Sequence, residues 1–234
     1  MTDKRLVLVT GASRGIGRAA VIDLARRGHH VIGLARSKKA LESLDDESKA
    51  EGHAATFVPM DLSDGKSIDA LGQILSDRFG RLDGLLGNAG VLGTLGPLQT
   101  IGVRQFEETL NVNLTANWRL IRSMAPLLAK SDAPRAVFVT SGVVPRPRAF
   151  WGPYQASKAG LEGLIHAWAE ENEQTELRVN LYDPGATRTE MRFDAMPGED
   201  PETLPTPESV AGPLCDLLEA SETRTGLRIA FRDL

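Results

Sequence analysis

A short unbroken apolar run, Leu6-Val7-Leu8-Val9, leads through Thr10 into a turn with glycines at 11, 15 and 17. A strand that is apolar at every position is covered on both faces, the habit of a parallel sheet between layers of helix. The residues after the turn read as a helix through about Arg27, with Gly28 as its stop. Strand, glycine turn and helix in that order constrain this chain more than any other feature. Glycine lets backbone approach a pyrophosphate closely, and the helix N-terminus offers unpaired N–H groups and the positive end of its dipole. The spacing is Gly-x-x-x-Gly-x-Gly, not the Gly-x-Gly-x-x-Gly of the general dinucleotide fingerprint. Glycines also mark ordinary loops. The strand before and the helix after favour a phosphate-binding turn made of Gly11, Ser13, Arg14, Gly15, Ile16 and Gly17.

The rest of the chain alternates strand and helix patterns. Further strands are expected over Val31–Ala35, Ala55–Met60, Gly84–Leu86 with its flanks, Ala136–Thr140, Arg178–Tyr182 and Leu227–Phe231. Helices are expected over Ser67–Phe79, Gln105–Leu128, Tyr154–Glu171 and Pro207–Glu219, among others. Such alternation implies right-handed crossovers and a doubly wound parallel α/β sheet of Rossmann type, about seven strands with helices on both faces. The 234 residues suit one domain. Residues 187–207 carry Pro197, Pro201, Pro205 and Pro207 and few apolar anchors. They follow the sixth strand at its carboxyl end, where such sheets place ligands, and read as a substrate-side lid loop.

Tyr154 and Lys158 stand four residues apart in Tyr-Gln-Ala-Ser-Lys, with Ser141 upstream. One helical turn puts the phenol and the ammonium on one face. A neighbouring cation favours phenolate, so the tyrosine pKa is expected to fall from ~10 toward working pH. A tyrosine so tuned exchanges a proton with a carbonyl or alcohol oxygen. By itself the pair is no more than a surface tyrosine and lysine; the glycine turn changes that reading.

Together these motifs resemble the short-chain dehydrogenases/reductases. Thr10-Gly-Ala-Ser-Arg-Gly-Ile-Gly17 is similar to the family's Thr-Gly-x-x-x-Gly-x-Gly turn, and Asn88-Ala89-Gly90 to its Asn-Ala-Gly segment. Asn113 matches its catalytic asparagine, Ser141, Tyr154 and Lys158 its serine and Tyr-x-x-x-Lys pair, and Pro184-Gly185 with Thr187 its Pro-Gly-x-Thr segment. The matches span residues 10–187 in order, and Thr225-Gly226 resembles the entry to the last strand. One departure is Gly87, where many relatives carry asparagine. The resemblance implies that Tyr154 is the general acid/base and that Ser141 binds the same substrate oxygen. It implies that Lys158 holds the nicotinamide ribose and that Asn113 kinks its helix to hold a water. It places Asp61, with Leu62, at the adenine, Asn88 to Gly90 on the adenosine side, and Pro184, Gly185 and Thr187 near the carboxamide.

Cofactor choice follows from charge. An acidic residue at the end of the second strand grips the ribose 2′-hydroxyl of NAD, whereas arginine accommodates the 2′-phosphate of NADP. Here that strand ends in Arg36-Ser37-Lys38-Lys39, and Arg14 adds a further cation. Cations at a helix start oppose its dipole, which a bound anion would offset. NADP(H) is therefore expected over NAD(H).

Net charge of −4 and a pI near 5.7 argue against general nucleic-acid or membrane-surface binding. The single cysteine, Cys215, lies in an apolar helical stretch and reads as a core residue. With neither a membrane-length apolar run nor a signal-peptide pattern, a cytoplasmic location is expected. The substrate is a small carbonyl or alcohol, with Phe150 and Trp151 as candidate pocket walls and Arg146 and Arg148 as solvated loop charges. Two other functions compete with this reading. A sugar-nucleotide epimerase or dehydratase would need a longer C-terminal region and a different turn. A non-catalytic nucleotide sensor would have no need of all four catalytic-type residues. Ala156, Ala159, Gly160, Gly163, Leu164, Ala167 and Trp168 suit a helix that packs closely in a homodimer or homotetramer, as the family's does.

Overall fold

A computed structural model describes residues 4–234. Seven strands form one parallel sheet: β1 (Leu6–Thr10), β2 (His30–Ala35), β3 (Ala55–Pro59), β4 (Gly84–Gly87), β5 (Arg135–Val139), β6 (Arg178–Asp183) and β7 (Arg228–Ala230). Their order is β3-β2-β1-β4-β5-β6-β7. The chain winds outward from β1 to β3, returns beside β1 as β4, and then winds the other way. The point of reversal, between β1 and β4, opens a crevice at the carboxyl ends of the strands.

Side chains alternate across each strand, so one strand feeds two cores. Leu8, Ile32, Leu85 and Phe138 face α3 (Gly65–Phe79), α5 (Ala116–Leu128) and α6 (Gly152–Glu171). Val7, Val9, Val31, Leu86 and Val137 face α1 (Gly15–Arg26), α2 (Lys38–Ala50) and α8 (Pro207–Asp216). This is why β1 is apolar at every position. All four of its apolar residues are buried, and each such side chain contributes roughly 1.5–3 kcal/mol. No helix among the described residues is long and apolar enough to cross a membrane.

The expected boundaries shift where tertiary contacts intervene. The single helix expected over 105–128 is instead α4 (Val103–Leu110), a π-helical turn (Asn111–Thr115) and α5. Asn113 sits in that turn, completely buried, and bonds backbone elsewhere in the fold. A π-turn inserts one extra residue, which re-aims a side chain without ending the helix. α6 begins two residues early because Pro153 occupies its first turn, where a missing N–H costs nothing. α8 stops at Asp216, before the expected Glu219, and Glu219 instead meets the His29 ring at 3.1 Å. The 187–207 segment is not irregular throughout. It carries α7 (Glu190–Ala195), whose N-cap Thr189 accepts the Arg192 N–H at 3.2 Å. The Gly87 departure also has a cause: a Cβ there would lie 2.3 Å from the Phe138 ring.

Candidate active site

The carboxyl ends of β1, β2, β4, β5 and β6 border one cleft of about 440 Å³. That is the size class of a small-molecule or cofactor site. Every predicted site residue lines it except Gly17 and Asn113, which lie beneath its wall.

The glycine turn forms one side. Gly11 (φ +69°) and Gly15 (φ +55°) adopt the left-handed region that other residues avoid. Gly17 is needed for space: a Cβ there would lie 2.3 Å from the Gly11 carbonyl oxygen and 2.4 Å from Asn88 Nδ2. Thr10 Oγ1 accepts the N–H groups of Asn88 and Ala89, both at 3.0 Å, and Asn88 Nδ2 donates to the Thr10 carbonyl at 2.9 Å. The Asn-Ala-Gly segment thus braces the turn as well as lining the cleft. Arg14, the N-cap of α1, supplies no side-chain cap. The first-turn N–H groups keep no capping side chain, as a phosphate site requires.

At the end of the cleft beside β2, Arg36 follows the strand, exposed, with no carboxylate where NAD-type sites carry one. The Asp61 carboxylate accepts the Ser63 N–H at 2.9 Å. That bond, helped by the Arg36 charge, holds its carboxyl below the ordinary range. Asp64 caps α3, accepting the Lys66 N–H at 3.1 Å, so Asp61 remains outside the helix cap. Arg14 forms an ion pair with Glu190 across the cleft, a contact the sequence did not signal. The uncapped helix start, the exposed Arg36 and the missing carboxylate fit a dinucleotide with a 2′-phosphate.

The far end gathers Ser141 after β5, Tyr154 and Lys158 on α6, and Pro184, Gly185 and Thr187 after β6. Trp151 packs edge-on against Tyr154, with ring centroids 5.9 Å apart. Phe150 does not wall the cleft; it is 58% exposed, with φ of +73°. Arg146 and Arg148 are exposed, as expected of loop charges.

The expected fall of the tyrosine pKa is not what the structure gives. Burial pushes the Tyr154 phenol up to about 12, against an opposing hydrogen bond with Ser141. Burial also lowers the Lys158 ammonium to about 8, with Glu162 opposing. The Tyr-x-x-x-Lys spacing reveals only the neighbouring cation. In the fold Lys158 is 3% exposed, its Nζ donates to the Val139 carbonyl at 2.7 Å, and it stands 5.9 Å from the Tyr154 ring centroid. Desolvation is the largest influence on both groups and sets both directions.

Asn113 supports this end from behind. Its Nδ2 donates to the Val91 carbonyl and to Ser157 Oγ, both at 2.9 Å, and its Oδ1 accepts the Val91 N–H at 2.8 Å. Its own carbonyl accepts from Asn117 Nδ2 at 2.8 Å. Sequence reasoning missed Glu162, Asp183 and Arg228, which meet behind Ser141. Their wide separation in the chain carries no local signal.

Residues 5–200 match the family model for short chain dehydrogenase. The chain is 38% identical over 234 residues to an uncharacterized oxidoreductase, YciK, of Escherichia coli, covering 99% of this chain and 92% of that one. It is 31% identical over 188 residues to an NADPH-dependent pterin aldehyde reductase of Arabidopsis thaliana, covering 80% of this chain and 76% of that one. A short chain dehydrogenase from Shigella flexneri, solved complexed with NADP, superposes with a TM-score of 0.93 at 38% identity, covering 98% of this chain and 97% of that one. With the sheet order, the braced glycine turn and a family match that reaches from β1 into the segment after β6, the chain belongs to the short-chain dehydrogenases/reductases.

Proposed function

We propose that the protein is an NADP(H)-dependent oxidoreductase acting on a carbonyl or secondary alcohol. The observation that carries this reading is the meeting of Ser141, Tyr154 and Lys158 at one end of a cleft whose other end holds Arg14 and Arg36. The NADP complex of the Shigella flexneri relative and the NADPH dependence of the plant reductase support the choice of nucleotide. When bound, the dihydronicotinamide supplies the hydride. Pro184, Gly185 and Thr187 would hold its carboxamide side, and Lys158 would hold its ribose.

A phenol raised to about 12 is fully protonated at neutral pH, the form needed to reduce a carbonyl. Tyr154 gives that proton to the carbonyl oxygen while Ser141 donates a hydrogen bond to the same atom. The phenolate left behind is held by Ser141 and the Lys158 ammonium until solvent returns the proton. Trp151, Val91, Leu92 and Met191 line the same cleft, which suits a carbonyl compound with a flat apolar body. Arg188 and Arg192 also line it, but they are paired with Glu202 and Glu199.

The test is NADPH consumption with a panel of aldehydes, ketones and quinones. Turnover lost in Tyr154→Phe supports the reading; tight NADPH binding without turnover of any member favours a sensor. We also propose a homo-oligomer. Ala156, Ala159, Gly163 and Ala167 form an exposed stripe of small residues along α6. Trp168 is not part of it, since it packs on Phe138 in the core. Light scattering at micromolar protein should give a multiple of the monomer mass.

A further inference from the structure

Three charged side chains from three elements meet behind Ser141. Arg228, on β7, donates through Nε to Glu162 Oε1 at 2.9 Å. Its Nη2 donates to Asp183 Oδ2 at 2.8 Å and to the Ser141 carbonyl at 3.2 Å. Glu162 lies one helical turn beyond Lys158 and also accepts the Thr140 hydroxyl at 2.6 Å. Asp183 ends β6, and its second oxygen accepts the Gly185 N–H at 3.0 Å. The side chains are 21%, 13% and 7% exposed for Arg228, Glu162 and Asp183. One guanidinium thus touches the Ser141 peptide directly, the Tyr154–Lys158 helix through Glu162, and the Pro184-Gly185 turn through Asp183.

We propose that Arg228 is a positioning residue: with Glu162 and Asp183 as anchors, it fixes the proton-donating cluster against the turn that receives the nicotinamide. This rests on the reductase reading above. The same contacts could have been made by apolar packing, which often stabilises as well as a buried ion bridge. What the bridge adds is direction, since each guanidinium N–H is fixed relative to the others. Misplacing reacting groups by about an ångström costs on the order of 10²-fold in rate.

The bridge also has an electrostatic consequence. The charged and titratable groups linked to Lys158 are Tyr154 and Glu162 on its own helix, with Arg228 on β7 bonded to Glu162 and Asp183 at the end of β6 bonded to Arg228; Thr140, which donates to Glu162, is neutral. Glu162 raises the proton affinity of Lys158, and Asp183 raises that of Tyr154. Arg228 offsets both carboxylates. Removing its charge while keeping its bulk should raise the lysine titration, and neutralising Glu162 should lower it.

The experiment compares Arg228→Met, Arg228→Lys, Glu162→Gln and the Arg228→Met/Glu162→Gln pair. Steady-state kinetics use NADPH and a carbonyl compound from the panel; Lys158 is titrated in nucleotide-free protein by nitrogen NMR of labelled lysine, assigned with Lys158→Met. Arg228→Met should lower kcat about tenfold or more with KM nearly unchanged, and raise the lysine midpoint. Glu162→Gln should lower that midpoint, the double variant should return it toward wild type, and Arg228→Lys should recover part of kcat. Wild-type kcat together with a wild-type midpoint in Arg228→Met would overturn the proposal. So would an activity loss that merely tracks lost folding while Glu162→Gln leaves the midpoint unmoved. Should Arg228→Met not fold, Arg228→Lys and Glu162→Gln decide the question by the same criteria. If wild-type protein reduces nothing, the reductase reading fails, and the lysine titrations still show whether the bridge governs Lys158.

Discussion

Lys158 should make the folded protein weaker at neutral pH than at alkaline pH. The residue is 3% exposed and its pKa falls from 10.5 to about 8. A fall of that size corresponds to about 3 kcal/mol of preference for the neutral form in the folded state. The folded pKa is depressed, so the cost is present below about 8, shrinks as pH rises, and is gone above 10.5. Lys158→Met removes the charge and keeps most of the bulk. It also frees the Val139 carbonyl, but that loss does not vary with pH. The pH dependence of the difference therefore isolates the buried charge. Wild type should gain about 1 kcal/mol on the variant between about pH 7 and pH 9, or roughly 2–4 °C in Tm for a chain of this size. Tyr154, raised to about 12, stays protonated across that range. Scanning calorimetry of both proteins, stripped of nucleotide, reads the gap directly. Parallel Tm–pH curves would refute the buried-ammonium reasoning.

Tyr154→Phe should cost ~10²- to 10⁴-fold in turnover and leave NADPH affinity nearly intact, because only the acid/base hydroxyl is removed; retained activity would end the assigned mechanism. Arg36→Asp should cut the NADPH:NADH preference by about tenfold or more, since a charge-assisted bond is worth roughly 1.5–3 kcal/mol and is replaced by repulsion. Paired titrations that show equal losses for the two nucleotides would refute it. Gly17→Ala should abolish nucleotide binding, because its Cβ would lie 2.3 Å from a backbone oxygen that cannot yield without opening the turn. Equilibrium binding at wild-type affinity would contradict that geometry.

The sequence alone determined β1, the glycine turn and the start of α1. The sequence also determined that Tyr154 and Lys158 share a helix face. Each of these depends on residues within one or two turns of each other, so local sterics and helix spacing suffice. It carried the absence of a carboxylate after β2 for the same reason. Only the tertiary structure decided the π-turn at Asn113, which exists to aim that side chain at Val91, 22 residues away. Only the fold explains Gly87, whose missing Cβ makes room for Phe138 on the neighbouring strand. The direction of the Tyr154 shift could not be read from the Tyr-x-x-x-Lys spacing. Spacing reveals the partner charge, whereas burial sums every atom that displaces water, and here burial is larger. The Arg228 bridge is the extreme case: its partners lie 66 and 45 residues away, and they meet because parallel pairing sets β7 beside β6 while α6 packs against β6.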